Sequence, residues 1–336
     1  MTRAKNTTPK HLAITILGGI AVLLLVASLF LGSRMLAPAD VIAGLSGTAP
    51  AEIRDLVWDL RIPRTLLAFF AGAALAVAGL LTQSWTGNPL ADPGIIGITA
   101  GASFFVALGA VSGFAITAGS RTFSALIGSA LAVLLVVFLA HRSLNPLALV
   151  LAGVGVSASL QSAAVVIGLF STEVLESMRR WTVGSTFGRS YEDVAIAGCG
   201  LLIGLVLAAL AARPLDLLAM GEETSTALGG SPLRARLLAT TGIVILAGCA
   251  TAAAGPIAFV GFAVPHFLRA WLGPRVVVLV APAALLGGVA VLIADIVGRL
   301  IMRPGELEMA IVVSMIGAPL LIIAVKRGLG WKKDTI

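Results

Sequence analysis

Apolar residues come in blocks, and the charged residues fall between them. Ten blocks have roughly the length of a bilayer crossing, about 17–25 residues. Their approximate limits are 12–32, 61–82, 95–117, 121–140, 147–170, 194–212, 237–254, 257–272, 276–296 and 309–325. All should be helices, because an open sheet edge cannot survive in hydrocarbon. The eighth is short and carries Pro265, which predicts a kinked or incomplete span. The pattern predicts an all-α membrane protein of about ten transmembrane helices, with residues 1–336 forming one integral membrane domain.

Composition fits that reading. Of the 336 residues, 58% are hydrophobic and 12% are charged, and the mean hydropathy is +1.04. The opening segment resembles a signal peptide, but its apolar run from Leu12 to Leu31 is too long and the chain continues as membrane, so it reads as a retained first span. A net charge of +7 would suit nucleic acid, yet in a membrane protein basic residues anchor cytoplasmic ends. An even number of spans puts both termini on one side. With the termini cytoplasmic, as tails 1–11 and 326–336, the inner segments hold 13 of the 23 basic residues and every lysine. Cys199 and Cys249 lie inside apolar runs and read as small packing residues.

The breaks carry the candidate chemistry. The ten outward basic residues are all arginines, against the usual bias. Arg61, Arg64, Arg299 and Arg303 lie at outer span ends. One reading is headgroup snorkelling or local ion pairs with Asp55, Asp59 or Glu306. The other is a rim that docks an acidic partner through the planar guanidinium fork. On the inner side, NPLADPG (88–94) reads as a rigid connector, with Asp92 as a cap and Pro93 in the next first turn.

Residues 213–236 form the longest inner segment. Pro214 is placed to start a short helix and Gly229 to end one, with Glu222 and Glu223 early. Such a segment is an ordinary connector or a surface pressed on a soluble partner. In the outer break 171–193, Glu176 and Arg180 support a short helix and Trp181 suits the lipid interface. Gly153, Ser157 and Gln161 share one face of the fifth span. That face serves close helix packing or lines a watery path.

Several kinds of chemistry have no residues to carry them. There is no phosphate-binding G-x-x-x-x-G-K-[ST] loop. His11, His141 and His266 show no metal-ligand spacing, so no metal or catalytic residue is assigned. Asp295 is the one acid close to an apolar interior, and Arg299 follows at i+4 as a local pair. An ion-driven carrier needs more at the midplane. The chain reads as a transporter body whose energy comes from another chain.

RIPRT (61–65), AGAALAVAG (71–79), NPLADPGIIG (88–97), LAMGEETSTALG (218–229), GPIAFVGFAVPHFLR (255–269), ADIVGR (294–299) and PGELEMAIVVSMIGAPLLI (304–322) follow one another in an order that resembles the FecCD family. Its members are permease subunits of bacterial ATP-binding-cassette importers for ferric siderophores, haem and vitamin B12. The resemblance implies a type II importer permease in the bacterial cytoplasmic membrane. It would work with a second permease chain, two cytosolic ATPase subunits and an extracytoplasmic binding protein, surrounded by lipid and without nucleic acid. ATP and magnesium would sit on the ATPases, with no cofactor on this chain.

By the same resemblance Arg61, Arg64 and Arg299 match docking positions for the binding protein. Residues 213–236 match coupling helices, with Glu222, Glu223, Leu228 and Gly229 at the motif positions. Asn145, Pro146 and Leu147 match an inner gate, and the fifth span matches the path. The vitamin B12 branch has a small-hydroxyl run at that gate and this chain does not, which favours a cargo other than cobalamin; a ferric siderophore is the expected one. Haem stays open as cargo. A stand-alone secondary carrier is the rival function, and a membrane enzyme is a third.

Overall fold

The computed structural model describes residues 10–114, 117–140, 146–170 and 181–326. Among the described residues, ten helices of 13 to 28 residues fall on the ten expected blocks. They are α1 (Lys10–Phe30), α4 (Ile62–Thr86), α5 (Ile98–Val111), α6 (Ala118–Ala140), α7 (Pro146–Leu169), α8 (Tyr191–Leu218), α10 (Pro232–Ala254), α11 (Val260–Leu272), α12 (Val276–Ile301) and α13 (Met309–Lys326). Short elements stand between them: α2 (Pro38–Ser46), α3 (Ala51–Asp55), a π-helical turn (Leu56–Arg61) leading into α4, a 3₁₀ turn (Pro93–Ile96), and α9 (Glu222–Ala227). No strand occurs among the described residues.

Seven helical segments are long and apolar enough to cross a membrane, while α5, α11 and the apolar part of α13 are shorter. The shortening has local causes. Gly255-Pro256 interrupts the chain after α10, and helix resumes only at Val260. Phe259, at the restart, sits at φ 67°, an uncommon place for a bulky residue, and its side chain lies against Gly317. Irregular backbone at this depth requires cover from neighbouring protein.

Helix α4 is the axis of the bundle, with 83% of its best apolar window buried, against 22% for α1 and α7. Small residues make this possible. Gly72 of α4 faces Gly287 of α12 so closely that a methyl group on either would overlap the other's backbone. Gly101 of α5 and Gly128 of α6 meet the same way. Without a hydrophobic force between helices in lipid, such close backbone approach supplies the packing energy. The peripheral helices leave large apolar side chains outward, such as Leu23 and Leu134.

Two expectations need correction. Pro214 does not open a short helix but lies inside α8, which runs on to Leu218. Trp181 is not at a lipid interface. It is 4% exposed, packed with Ala102, Val106, Ala125 and Ala252, and its indole N–H points to the Ala252 carbonyl at 3.5 Å. Its neighbour Gly184 approaches the Pro256 carbonyl, which draws the whole segment inward. The short helix expected near 172–181 lies, apart from Trp181, outside the described residues. So does most of the two tails.

Candidate functional site

The arginines at one end of the bundle are buried. Arg61, Arg64 and Arg299 are 6%, 7% and 1% exposed. A charge removed from water needs a partner charge or hydrogen bonds: Arg64 and Arg299 meet carboxylates, while Arg61 donates to backbone carbonyls. Asp295, fully buried, is the hub. Its Oδ1 accepts from Arg64 Nε at 3.0 Å and from Thr186 Oγ1 at 2.9 Å, and its Oδ2 accepts from Arg299 Nη2. Arg64 also pairs with Glu306 and lies over the Phe187 ring at 5.8 Å.

Further guanidinium hydrogens reach the end of α1 and the chain just after it. Arg299 donates to the Ser28 and Leu31 carbonyls at 3.1 and 3.0 Å and to Ser28 Oγ at 2.7 Å. Arg61 donates to the Leu29 carbonyl and to that of Arg34 at 2.8 Å, and Arg303 donates to that of Gly32 at 2.7 Å. A helix leaves its last carbonyls without internal partners and carries partial negative charge there. Arg299 and Arg61 satisfy two of those groups, on Ser28 and Leu29, and Arg303 holds the chain just beyond the helix at Gly32.

Of the four arginines expected at a docking rim, Arg61, Arg64 and Arg299 are thus buried and engaged within the chain, and Arg303 is half-buried. The local-pair reading holds for Arg64 with Glu306, but Asp55 is taken by Arg54 at 3.3 Å. Sequence reasoning missed Thr186 and Ser28, which no short spacing links to the arginines. It also missed the exposed arginines of this end, Arg34 (paired with Glu52 at 2.7 Å) and Arg54. The cleft at this end, about 150 Å³, is lined in part by Arg34, Leu60, Arg61, Phe187 and Glu306.

The opposite end is built differently. Gln83, 2% exposed, donates to the Gly261 and Phe262 carbonyls at 3.2 and 3.4 Å and accepts from Arg269, which also reaches Ser84 Oγ at 3.3 Å. Asp92 caps the 3₁₀ turn, accepting from the Gly94 N–H at 2.9 Å. Burial raises its carboxyl above the usual range, and the Gly94 hydrogen bond opposes that only in part.

Helix α9 lies at this end too. Glu222 pairs with Arg236 of α10, so it is already engaged. Glu223 is exposed, as are Leu228 (58%) and Met220 (61%), the last of which the sequence did not single out. Gly229, at φ 80°, ends the helix, a conformation that glycine adopts without strain.

Asn145 lies outside the described residues, and Pro146 and Leu147 fall in the first turn of α7. Gly153 is buried. Ser157 is half-buried, its Oγ enclosed without a partner and close to Gly97. Gln161 is half-buried. Gly153 and Ser157 thus lie at least partly against their own chain. Gly155, Ser159 and Ser162 are exposed instead. Among the described residues no cluster of three or more His, Cys, Asp or Glu could hold a metal ion.

A bundle of ten apolar helices, with one end sealed by buried ion pairs and the other carrying an exposed acidic helix, is the body of a membrane permease. Residues 20–327 match the FecCD transport family, and the chain belongs to that family. It is 39% identical over 321 residues to the ferric enterobactin transport system permease protein FepD of Escherichia coli, covering 92% of this chain and 94% of that one. It is 33% identical over 331 residues to the Fe(3+)-citrate import system permease protein YfmE of Bacillus subtilis, covering 96% and 98%.

A solved inward-facing structure of a metal-chelate type ABC transporter superposes with a TM-score of 0.82 at 28% identity, over 94% of this chain and 98% of that one. The chain is thus a transmembrane permease subunit of an ABC importer, multi-pass in the bacterial cytoplasmic membrane. It is not an enzyme, since ATP hydrolysis belongs to separate chains. Such a permease works with a second permease and with ATPases.

Proposed function

We propose that this permease carries a ferric siderophore into the cytoplasm. The observation that carries the reading is near full-length similarity to permeases whose cargoes are ferric enterobactin and ferric citrate, both iron held by oxygen-rich organic ligands. The second permease is a copy of this chain or a relative, and two ATPase subunits supply the energy with ATP and magnesium bound on them. Glu223, Leu228 and Gly229 form the surface that meets an ATPase, while Glu222 holds α9 in place. The arginine-rich end receives a loaded binding protein. There Arg34 and Arg54 are accessible to carboxylates, and the buried arginines keep the platform rigid. A path between two subunits shields a bulky polar chelate from lipid.

Uptake of ⁵⁵Fe as enterobactin or as citrate, in cells lacking their own permeases and supplied with this transporter's subunits, tests the cargo. Accumulation of at least one that stops when ATP is depleted supports the proposal. Accumulation that continues on an ion gradient without ATP would favour a secondary carrier. If both chelates stay outside while ATP-dependent haem uptake proceeds, the cargo assignment is wrong.

A further inference from the structure

The N-terminus of α12 is capped from another part of the chain. Its own preceding residue, Arg275, provides no side-chain cap. Asp216, in the last turn of α8, does so instead: its Oδ1 accepts from the Val276 N–H at 2.6 Å and its Oδ2 from the Val277 N–H at 3.3 Å. A carboxylate at the positive end of a helix is favourable in charge as well as in hydrogen bonding. A serine or aspartate at position 275 would cap the helix locally. The cap that crosses from α8 also ties two helices together.

That tie stands beside the exposed short helix, since Asp216 lies six residues before Glu222, where α9 begins. From Asp216 the connection continues along α12. Close contact between Gly72 and Gly287 locks α12 onto α4. About 28 Å along the helix from Val276, at the helical rise of about 1.5 Å per residue, Asp295 holds Arg64 and Thr186.

We propose that Asp216 is the positioning residue through which a push on α9 reaches α12, and through α12 the arginine-rich end. This rests on the reading of α9 as the ATPase contact. The force divides at this segment: Glu222 passes it to α10 through Arg236, and Asp216 passes it to α12. Helix α12 runs unbroken from Val276 to Ile301, with Pro282 near its start, and is fastened toward both ends by carboxylates, so displacement at one end travels to the other along helix and not through a loop.

Spin labels on the assembled transporter test this, with Cys199 and Cys249 replaced by alanine. A label at Thr226 reports ATPase contact by its immobilisation. A label pair at Leu169 and Ile301, both exposed, reports movement of the far end of α12. In the parent, ATP should shift the 169–301 distance. Asp216→Ala should keep the Thr226 label immobilised yet lose more than half of that shift, and Asp216→Glu should restore most of it. Should Asp216→Ala fail to assemble, Asp216→Asn gives the same test with a smaller loss. A full shift without the carboxylate overturns the proposal, as does a parent that immobilises Thr226 but shows no shift. A Thr226 label that stays mobile on ATPase binding overturns instead the reading of α9 on which the proposal rests.

Discussion

The two ends of this bundle use the same residue type in different ways. At one end, arginines are buried against Asp295, Glu306 and the last carbonyls of α1. At the other, Arg269 meets only the neutral groups of Gln83 and Ser84, and an acidic helix stands in the open. The first end is closed electrostatically and has little left to offer a partner except its exposed fringe. The second keeps charged and apolar side chains exposed. An arginine outside a membrane span is therefore informative only once its partners are known.

The strongest way to break this contrast is to remove the hub. Asp295→Ala leaves Arg64 and Arg299 buried without their shared carboxylate. The expected loss is about 3–5 kcal/mol of stability, read as a shift in chemical unfolding in detergent. A change below 1 kcal/mol would mean that the arginines are not held as described. Gly72→Val attacks the neutral packing between the ends. Its branched side chain overlaps the Gly287 backbone, and overpacking of this kind costs about 1–3 kcal/mol.

Glu306→Gln is milder, because Glu306 retains 20% side-chain exposure and Arg64 keeps Asp295. Loss of one charge-assisted hydrogen bond should cost about 1.5 kcal/mol in the same unfolding assay.

The smallest effect belongs to Asp92. Burial holds its folded-state carboxyl pKa above the unfolded value, so its ionised form is disfavoured in the fold. Its contribution to stability is fully present below the unfolded pKa and falls as pH rises through the raised one. Asp92→Asn keeps an oxygen for the Gly94 N–H and removes the ionisation. Its melting temperature should therefore fall less than the parent's between acidic and neutral pH. Parallel pH profiles for the two proteins would contradict this.

Much of the fold was legible because bilayer thickness sets helix length: each of the ten apolar runs holds a helix, seven of them long and apolar enough to cross. The Asp295–Arg299 pair was legible because i, i+4 spacing is local, and so was the end of α9, because Gly229 is a local signal. The partner that makes Asp295 a hub is Arg64, 231 residues away in sequence, and no spacing reveals such a pairing. Pro214 misled because a proline can sit inside a helix when neighbouring groups satisfy the freed carbonyl. Trp181 misled because its amphipathic ring suits an interface, while Gly184 and Gly255 leave room for its segment to pack inward. Small residues on α7 were legible as a stripe, but periodicity does not say whether a stripe faces its own chain or the outside.

One paired measurement tests the division between the ends most directly. Asp295→Asn and the double substitution Glu223→Lys with Leu228→Asp are compared for unfolding stability and for ATPase retention on co-purification. Asp295→Asn should lower stability by several kcal/mol, with whatever folds still retaining the ATPase. The double variant should keep parental stability and lose the ATPase at least tenfold. The opposite pattern, a stable Asp295→Asn chain and a double variant that still holds the ATPase, would contradict the account.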